Sequence, residues 1–125
     1  MPDVCVTVPK GMWTDWIVEG NAAGDPPTGE EWGFYTVGKK PDIQIGERVY
    51  IVAHGKLRGY APLTKLLFTP FRGNESPRAL GRVAFGRMGG AVAVTVPAPI
   101  RGFRGWMPRW WDRRIETPFP DWRTP

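Results

Sequence analysis

Glycine and proline punctuate this chain so closely that few apolar runs escape interruption: sixteen Gly and fourteen Pro are spread over 125 residues. Proline breaks helix interiors and removes a ladder donor, and glycine weakens helix and strand alike, so long helices are excluded and short strands joined by tight turns are favoured. What lies between the breaks is apolar enough to fold. Hydrophobic residues make up 42% of the chain and charged residues 23%, with seven Trp, six Phe and three Tyr, too much burial potential for a disordered polymer. The length suits one domain with one core.

Period-two alternation marks a first strand over residues 3–8, where Val4, Val6 and Val8 alternate with Asp3, Cys5 and Thr7, and Pro9 ends it. Trp13, Trp16 and Ile17 then recur at helical spacing, predicting a short helix over residues 11–19 that Gly20 terminates. Residues 21–29 read as a loop and 32–37 as a second strand. The run at 48–53 is β-branched and apolar enough for a central strand, and His54-Gly55 reverses the chain. Residues 56–68 are long for one strand and contain Pro62, which predicts a bend or bulge before the strand continues at Lys65. An exposed loop is expected over 69–77, and a hairpin of 80–87 with 91–96 around Met88, Gly89 and Gly90. The tail from Ala98 holds four Trp and six Arg without a sustained period. It reads as an irregular arm, residues 98–125, packed on a barrel formed by residues 1–97.

Cys5 is the lone cysteine, no N-terminal stretch has the make-up of a secretory leader, and no apolar run approaches the roughly 20 residues of a membrane-spanning helix. A cytoplasmic protein with no membrane partner is expected. With one Cys and one His, no metal-ligand spacing occurs; phosphate-binding glycine loops and nucleophile elbows are lacking too, so neither metal nor cofactor is implied. The formal net charge is +5, and it is unevenly placed: residues 1–71 sum to −1, residues 72–114 to +7 and residues 115–125 to −1. All nine basic residues of the middle segment are Arg, whose planar guanidinium forks onto phosphate and stacks on bases, so a basic face is expected.

The order of a strand, a helix bearing W-x-x-W-I-x-x-G, a strand at EEWGFYTV, and then I-x-x-G-E-R-V-Y-I-V-x-x-G-K-L-R-G-Y-A resembles the ASCH and EVE branches of the PUA-like superfamily over about residues 3–96. The resemblance implies a mainly β fold (α+β) with one or two short helices, a PUA-like pseudo-barrel of about five or six strands. It also implies a cleft beside the first helix, which relatives use to bind RNA, to hold a modified base, or in some ASCH members to hydrolyse an acylated cytidine.

A base-binding cleft needs aromatic faces for stacking, Arg or Lys for phosphate and a few polar groups to read an edge. Lys10, Trp13 and Tyr35 are the candidates at the first-helix cleft. Arg101, Arg104, Trp106, Arg109, Trp110, Trp111 and Arg113 are the candidates of the tail, where Arg and Trp interleave. Each Trp has a bland alternative as core, and the tail arginines as Arg-on-Trp stacks that pin the arm; Trp16 and Trp32 read as the most structural. His54 reads as a surface turn residue. The expected function is nucleic-acid binding, RNA ahead of DNA. Two alternatives remain: a hydrolase built on Lys10, Thr14 and one of Glu19, Glu30 or Glu31, and a protein-interaction module anchored by the Arg/Trp arm.

Overall fold

The structure, a computed structural model, describes residues 3–9, 11–18, 31–71, 80–88 and 92–124. Its elements are β1 (Val4–Thr7), α1 (Trp13–Val18), β2 (Glu31–Lys39), β3 (Arg48–Ala53), β4 (Lys56–Pro70), β5 (Leu80–Met88), β6 (Val94–Thr95), β7 (Trp106–Pro108), a single 3-10 turn at Arg113–Ile115, and β8 (Thr117–Pro118). Six strands form one sheet in the order β2-β5-β4-β3-β1-β7, which curls into a nearly closed barrel; β6 and β8 pair as a separate ribbon. The fold is mainly β, as the sequence predicts.

β3 is the central strand because it can be buried on both faces: from Val49 to Ala53 every side chain is buried, and it is flanked by parallel β1 and antiparallel β4. The β3–β4 connection turns on His54 and Gly55, both at positive φ (48° and 74°), the conformation a two-residue type I′ hairpin requires. β4 is long enough to serve two neighbours. Its first half pairs β3 and its second half pairs β5, and the register slips between Leu63 and Lys65, beside the bend expected from Pro62. A second slip, at Ile51/Val52 of β3, makes Arg58 the extra residue of β4. These bulges re-aim the strand and let the sheet curl.

Two apolar clusters result. One includes Val4, Val6, Trp13, Trp16, Ile51, Leu63, Val83, Phe85 and Trp122; the other, on the opposite face of β1 and β3, gathers Cys5, Tyr50, Val52, Leu57, Val96, Ile100 and Trp111. The short helix supplies Trp13 and Trp16 one turn apart, so both indoles enter the first cluster.

Three sequence expectations need correction. Residues 80–87 do not pair with 91–96: β5 has both edges taken, by β2 and β4, so Val92 bridges Tyr60 instead and β6 pairs β8. The loop expected from residue 69 begins later, since β4 runs to Pro70; residues 72–77 lie outside the described set. The tail is more than an irregular arm, because β7 enters the main sheet beside β1 and Trp111 and Trp122 enter the two cores.

The polar contacts of the tail explain how it is held. Asp3 is buried, yet its carboxylate accepts from the Arg48 N–H (2.9 Å), Arg109 Nε (3.0 Å) and Arg113 Nη2 (2.6 Å). Burial alone pushes this carboxyl up, but those donors outweigh it and hold Asp3 below the ordinary carboxylate range. Glu116 ties the tail down from the other end, accepting from Tyr50 Oη (2.6 Å), Trp111 Nε1 (2.8 Å) and Arg48 Nη1 (3.1 Å). Arg58, fully buried, donates to the carbonyls of Ala53 (2.9 Å), Trp122 (3.2 Å) and Thr124.

Candidate functional site

The sheet's two end strands are unequal, and the site follows from that. β2 has nine residues and β7 three. They meet at one end only, where the Trp106 indole donates from Nε1 to the Lys39 carbonyl (2.8 Å) and packs so close over Gly38 that a Cβ there would lie 3.3 Å from Nε1. Gly105, at φ 74°, brings the chain closer still, since a Cβ there would lie 2.9 Å from the Val37 carbonyl. Beyond these contacts, among the described residues, no strand pairs with the outer edge of β2.

Register identifies which backbone groups that edge presents. The Phe71 N–H donates to the Leu80 carbonyl (3.1 Å), so Leu80, and by alternation Arg82 and Ala84, turn their amides toward β4. Gly81, Val83 and Phe85 therefore bond to their β2 partners Gly38, Thr36 and Phe34. The N–H and C=O groups of Gly33, Tyr35, Val37 and Lys39 are left pointing away from β5, and the bond from Trp106 to the Lys39 carbonyl shows that direction directly.

The open seam is a cleft of about 1410 Å³. One wall is this β2 edge, from Gly33 to Val37; the floor is the end of β1 with Met12, Trp13 and Trp16 of the α1 segment; the far rim carries His54 and Gly55 on one side and Phe103 and Arg104 on the other. No Asp or Glu lines it among the described residues. The volume exceeds the roughly 300–1,000 Å³ typical of small-molecule pockets, so the cleft suits an extended ligand better than a lone metabolite.

The cleft brings together three of the sequence-predicted residues in different capacities. Trp13 is 2% exposed and spends its indole N–H on the Arg123 carbonyl (3.1 Å), so it is floor and core, not a stacking platform. Tyr35 lends its backbone to the cleft wall, while its ring, 72% exposed with the Arg82 guanidinium 5.6 Å from its centroid, stands on the outer side of that wall with a face open for stacking. Arg104 is exposed at the rim and forms no ion pair among the described residues. Lys10 lies outside the described residues, as do Glu19, Glu30 and the side chains of Glu31 and Trp32; Thr14 is exposed.

The remaining tail candidates separate by contact. Trp106 closes the seam. Arg109 and Arg113 are engaged with Asp3, and Trp111 is buried, edge-on to Tyr50 with centroids 5.1 Å apart. Arg101 is exposed but lines no part of the cleft. Trp110 is 55% exposed and lies edge-on to Phe103 (6.5 Å), one step behind the rim. The arginine-rich segment thus presents less free charge than its count: Arg87 is buried against Trp16 (4.8 Å), with its pKa pulled down to about 10 by burial, and Arg114 pairs with Asp112. Sequence reasoning missed Phe103, Arg82 and the backbone edge of β2; only pairing register reveals the last.

Other chemistry finds little footing. The Cys5 thiol is buried and pushed up to about 12 by desolvation, which keeps it protonated and unreactive. Among the described residues no three His, Cys, Asp or Glu side chains are grouped to hold a metal ion, and no helix is long and apolar enough to cross a membrane. No protein-family model, curated protein or solved structure matches the chain.

Proposed function

We propose that this chain is a PUA-like domain that binds single-stranded nucleic acid, RNA ahead of DNA, in the cleft beside α1. One observation carries the reading: a cleft with no Asp or Glu among its described lining residues, where Arg104 and Phe103 meet the outward-turned backbone edge of β2, and where the exposed Tyr35 ring stands on the outer side of that same β2 wall. Stacking, phosphate neutralisation and reading of a base edge are the three things a single strand asks of a protein, and each has a supplier here. The cleft's size supports a strand of more than one nucleotide. A cytoplasmic RNA is the intended partner.

The test is titration of labelled RNA and DNA oligonucleotides at two ionic strengths. Affinity is expected to fall steeply with salt; Arg104→Ala weakens all sequences alike and flattens the salt slope by about 0.7, the value for one single-strand phosphate contact. Tyr35→Ala costs about 1–3 kcal/mol with the slope unchanged. Lack of binding to either polymer at low salt rejects the proposal.

A second reading, the protein-interaction module, has one observation in its favour. The same open edge of β2 is a template on which an extended peptide can add as a strand. Such binding rests on backbone pairing and apolar contact, so it would be nearly indifferent to salt and to Arg104→Ala.

A further inference from the structure

The side chains of β2 whose backbone faces the cleft point out of the barrel, onto a surface that the cleft does not include. Register aligns four rows across β2, β5 and β4: Gly33–Gly86–Lys65, Tyr35–Ala84–Leu67, Val37–Arg82–Thr69, and Lys39–Leu80 continued by Phe71. Alternation sends the side chains of these rows to the outer face, while Thr36, Val83, Phe85, Leu66 and Phe68 take the inner positions.

That face is unusual for an outer sheet surface. Tyr35, Val37, Leu67, Phe71 and Leu80 are each between 42% and 72% exposed, a concentration of large apolar side chains that marks a contact site. Exposed Lys39, Lys65 and Arg82 are interspersed among them, and none of the four rows holds an Asp or Glu. A protein-interface core tends to exclude lysine, whereas aromatic rings spaced between cations are what a single strand stacks and neutralises upon. Ala84 beside the Tyr35 ring, and Gly33 and Gly86 in the row before it, keep the surface around that ring low, so a base can lie flat.

We infer that the outer face of β2, β5 and β4 is a second contact surface for the same single strand. This rests on the nucleic-acid reading of the cleft. The strand leaves the cleft over Tyr35, whose backbone faces one site and whose ring faces the other, and crosses toward Phe71. Those two rings are two strands and four residues apart, about 16 Å from strand spacing and rise, a span that takes several nucleotides. Arg82, already 5.6 Å from the Tyr35 centroid, lies between them to meet phosphate, with Lys39 and Lys65 on either side.

The experiment compares an RNA of about five nucleotides with one of about fifteen, lengths that bracket the smaller single-strand sites. Wild-type chain and Lys65→Ala/Phe71→Ala chain are titrated with both, with thermal melts beside them. Both substitutions are at exposed positions outside the cleft, and the melts are expected to coincide. The long RNA should bind the wild type at least tenfold tighter than the short one and with a steeper salt slope. The double substitution should remove most of that gain, lower the slope by about 0.7, and leave short-RNA binding unchanged. Equal loss for both lengths, or no gain with length, overturns the second surface while the cleft reading stands. Face-dependent binding of the long RNA without any binding of the short one upholds the surface and rejects the cleft. Failure of both RNAs rejects both. A wild-type dimer in gel filtration that Leu67→Asp converts to monomer overturns the inference in favour of a second copy of this chain.

Discussion

Trp111 decides whether the Arg/Trp-rich tail is a binding arm or part of the fold. Its indole is 7% exposed, lies edge-on to Tyr50 and Trp110 with centroids 5.1 and 5.0 Å away, and donates from Nε1 to Glu116 Oε2 at 2.8 Å. A buried Trp removes about 150–250 Å² from water, and at about 25 cal/mol per Å² that is about 4–6 kcal/mol, an upper value because unfolded chains are already partly compact. Truncating a Trp in a core typically costs about 3–5 kcal/mol. Here a charge-assisted hydrogen bond to a mostly buried carboxylate is also lost, so Trp111→Ala should lose about 4 kcal/mol or more. That is a large share of the roughly 5–15 kcal/mol a small domain has. Urea unfolding read by circular dichroism measures it, with the shift expected in the midpoint and the slope retained. Trp110→Ala, at a half-exposed ring, should cost less than about 1 kcal/mol. If Trp111→Ala unfolds at the wild-type midpoint, the tail is not part of the core and the two-cluster description of the fold is wrong.

Asp3→Asn should cost about 3 kcal/mol at neutral pH, since it strands two guanidinium groups that the carboxylate neutralises. The Asp3 pKa is lower in the folded chain than its ordinary value of 3.8, so the unfolded chain takes up the proton first and this stability is present above about pH 4 and lost as pH falls through the folded value. The wild-type acid limb of stability against pH should therefore be steeper than that of Asp3→Asn; superimposable limbs refute the assignment. Gly105→Ala forces a residue to φ 74° with its Cβ 2.9 Å from the Val37 carbonyl, so it should cost more than about 1 kcal/mol and part β7 from β2. Faster hydrogen exchange at the Trp106 indole N–H measures the parting, and unchanged exchange counts against the seam described here.

Much of the barrel was readable because one rule governs it. Alternating valines in β1, the continuous apolar run of β3 and Pro62 beside a bulge are local signals, and the structure obeys them. The misplaced hairpin shows where local signals stop. Glycines after residue 88 advertise a turn, but whether two strands pair depends on which edges are still vacant, and β5 had none. The charge count failed in the same way: nine arginines in one segment say nothing of Asp3, about a hundred residues away in sequence, which engages two of them. Among the tryptophans, the four tail indoles look alike as letters, yet one closes the seam, two are core and Trp110 is half exposed.

The seam itself is a matter of length. A barrel closes when its first and last strands can pair along their extents; here the last strand is Trp106–Pro108, bounded by Gly105 at positive φ and by a proline that has no N–H to offer β2. The chain then turns away, drawn back across β1 by the bond from the Arg109 N–H to the Asp3 carbonyl (3.0 Å) and by the guanidinium contacts to the Asp3 carboxylate. The contacts that anchor the tail therefore also prevent it from covering β2. An edge left unpaired among the described residues invites aggregation, and this chain limits that risk with Trp106 at one end of the edge and a basic outer face beside it. Both proposed contact surfaces follow from that one arrangement: the backbone of Tyr35 and Val37 opens into the cleft because β7 is short, and their side chains reach the outer face because β2 still belongs to the sheet.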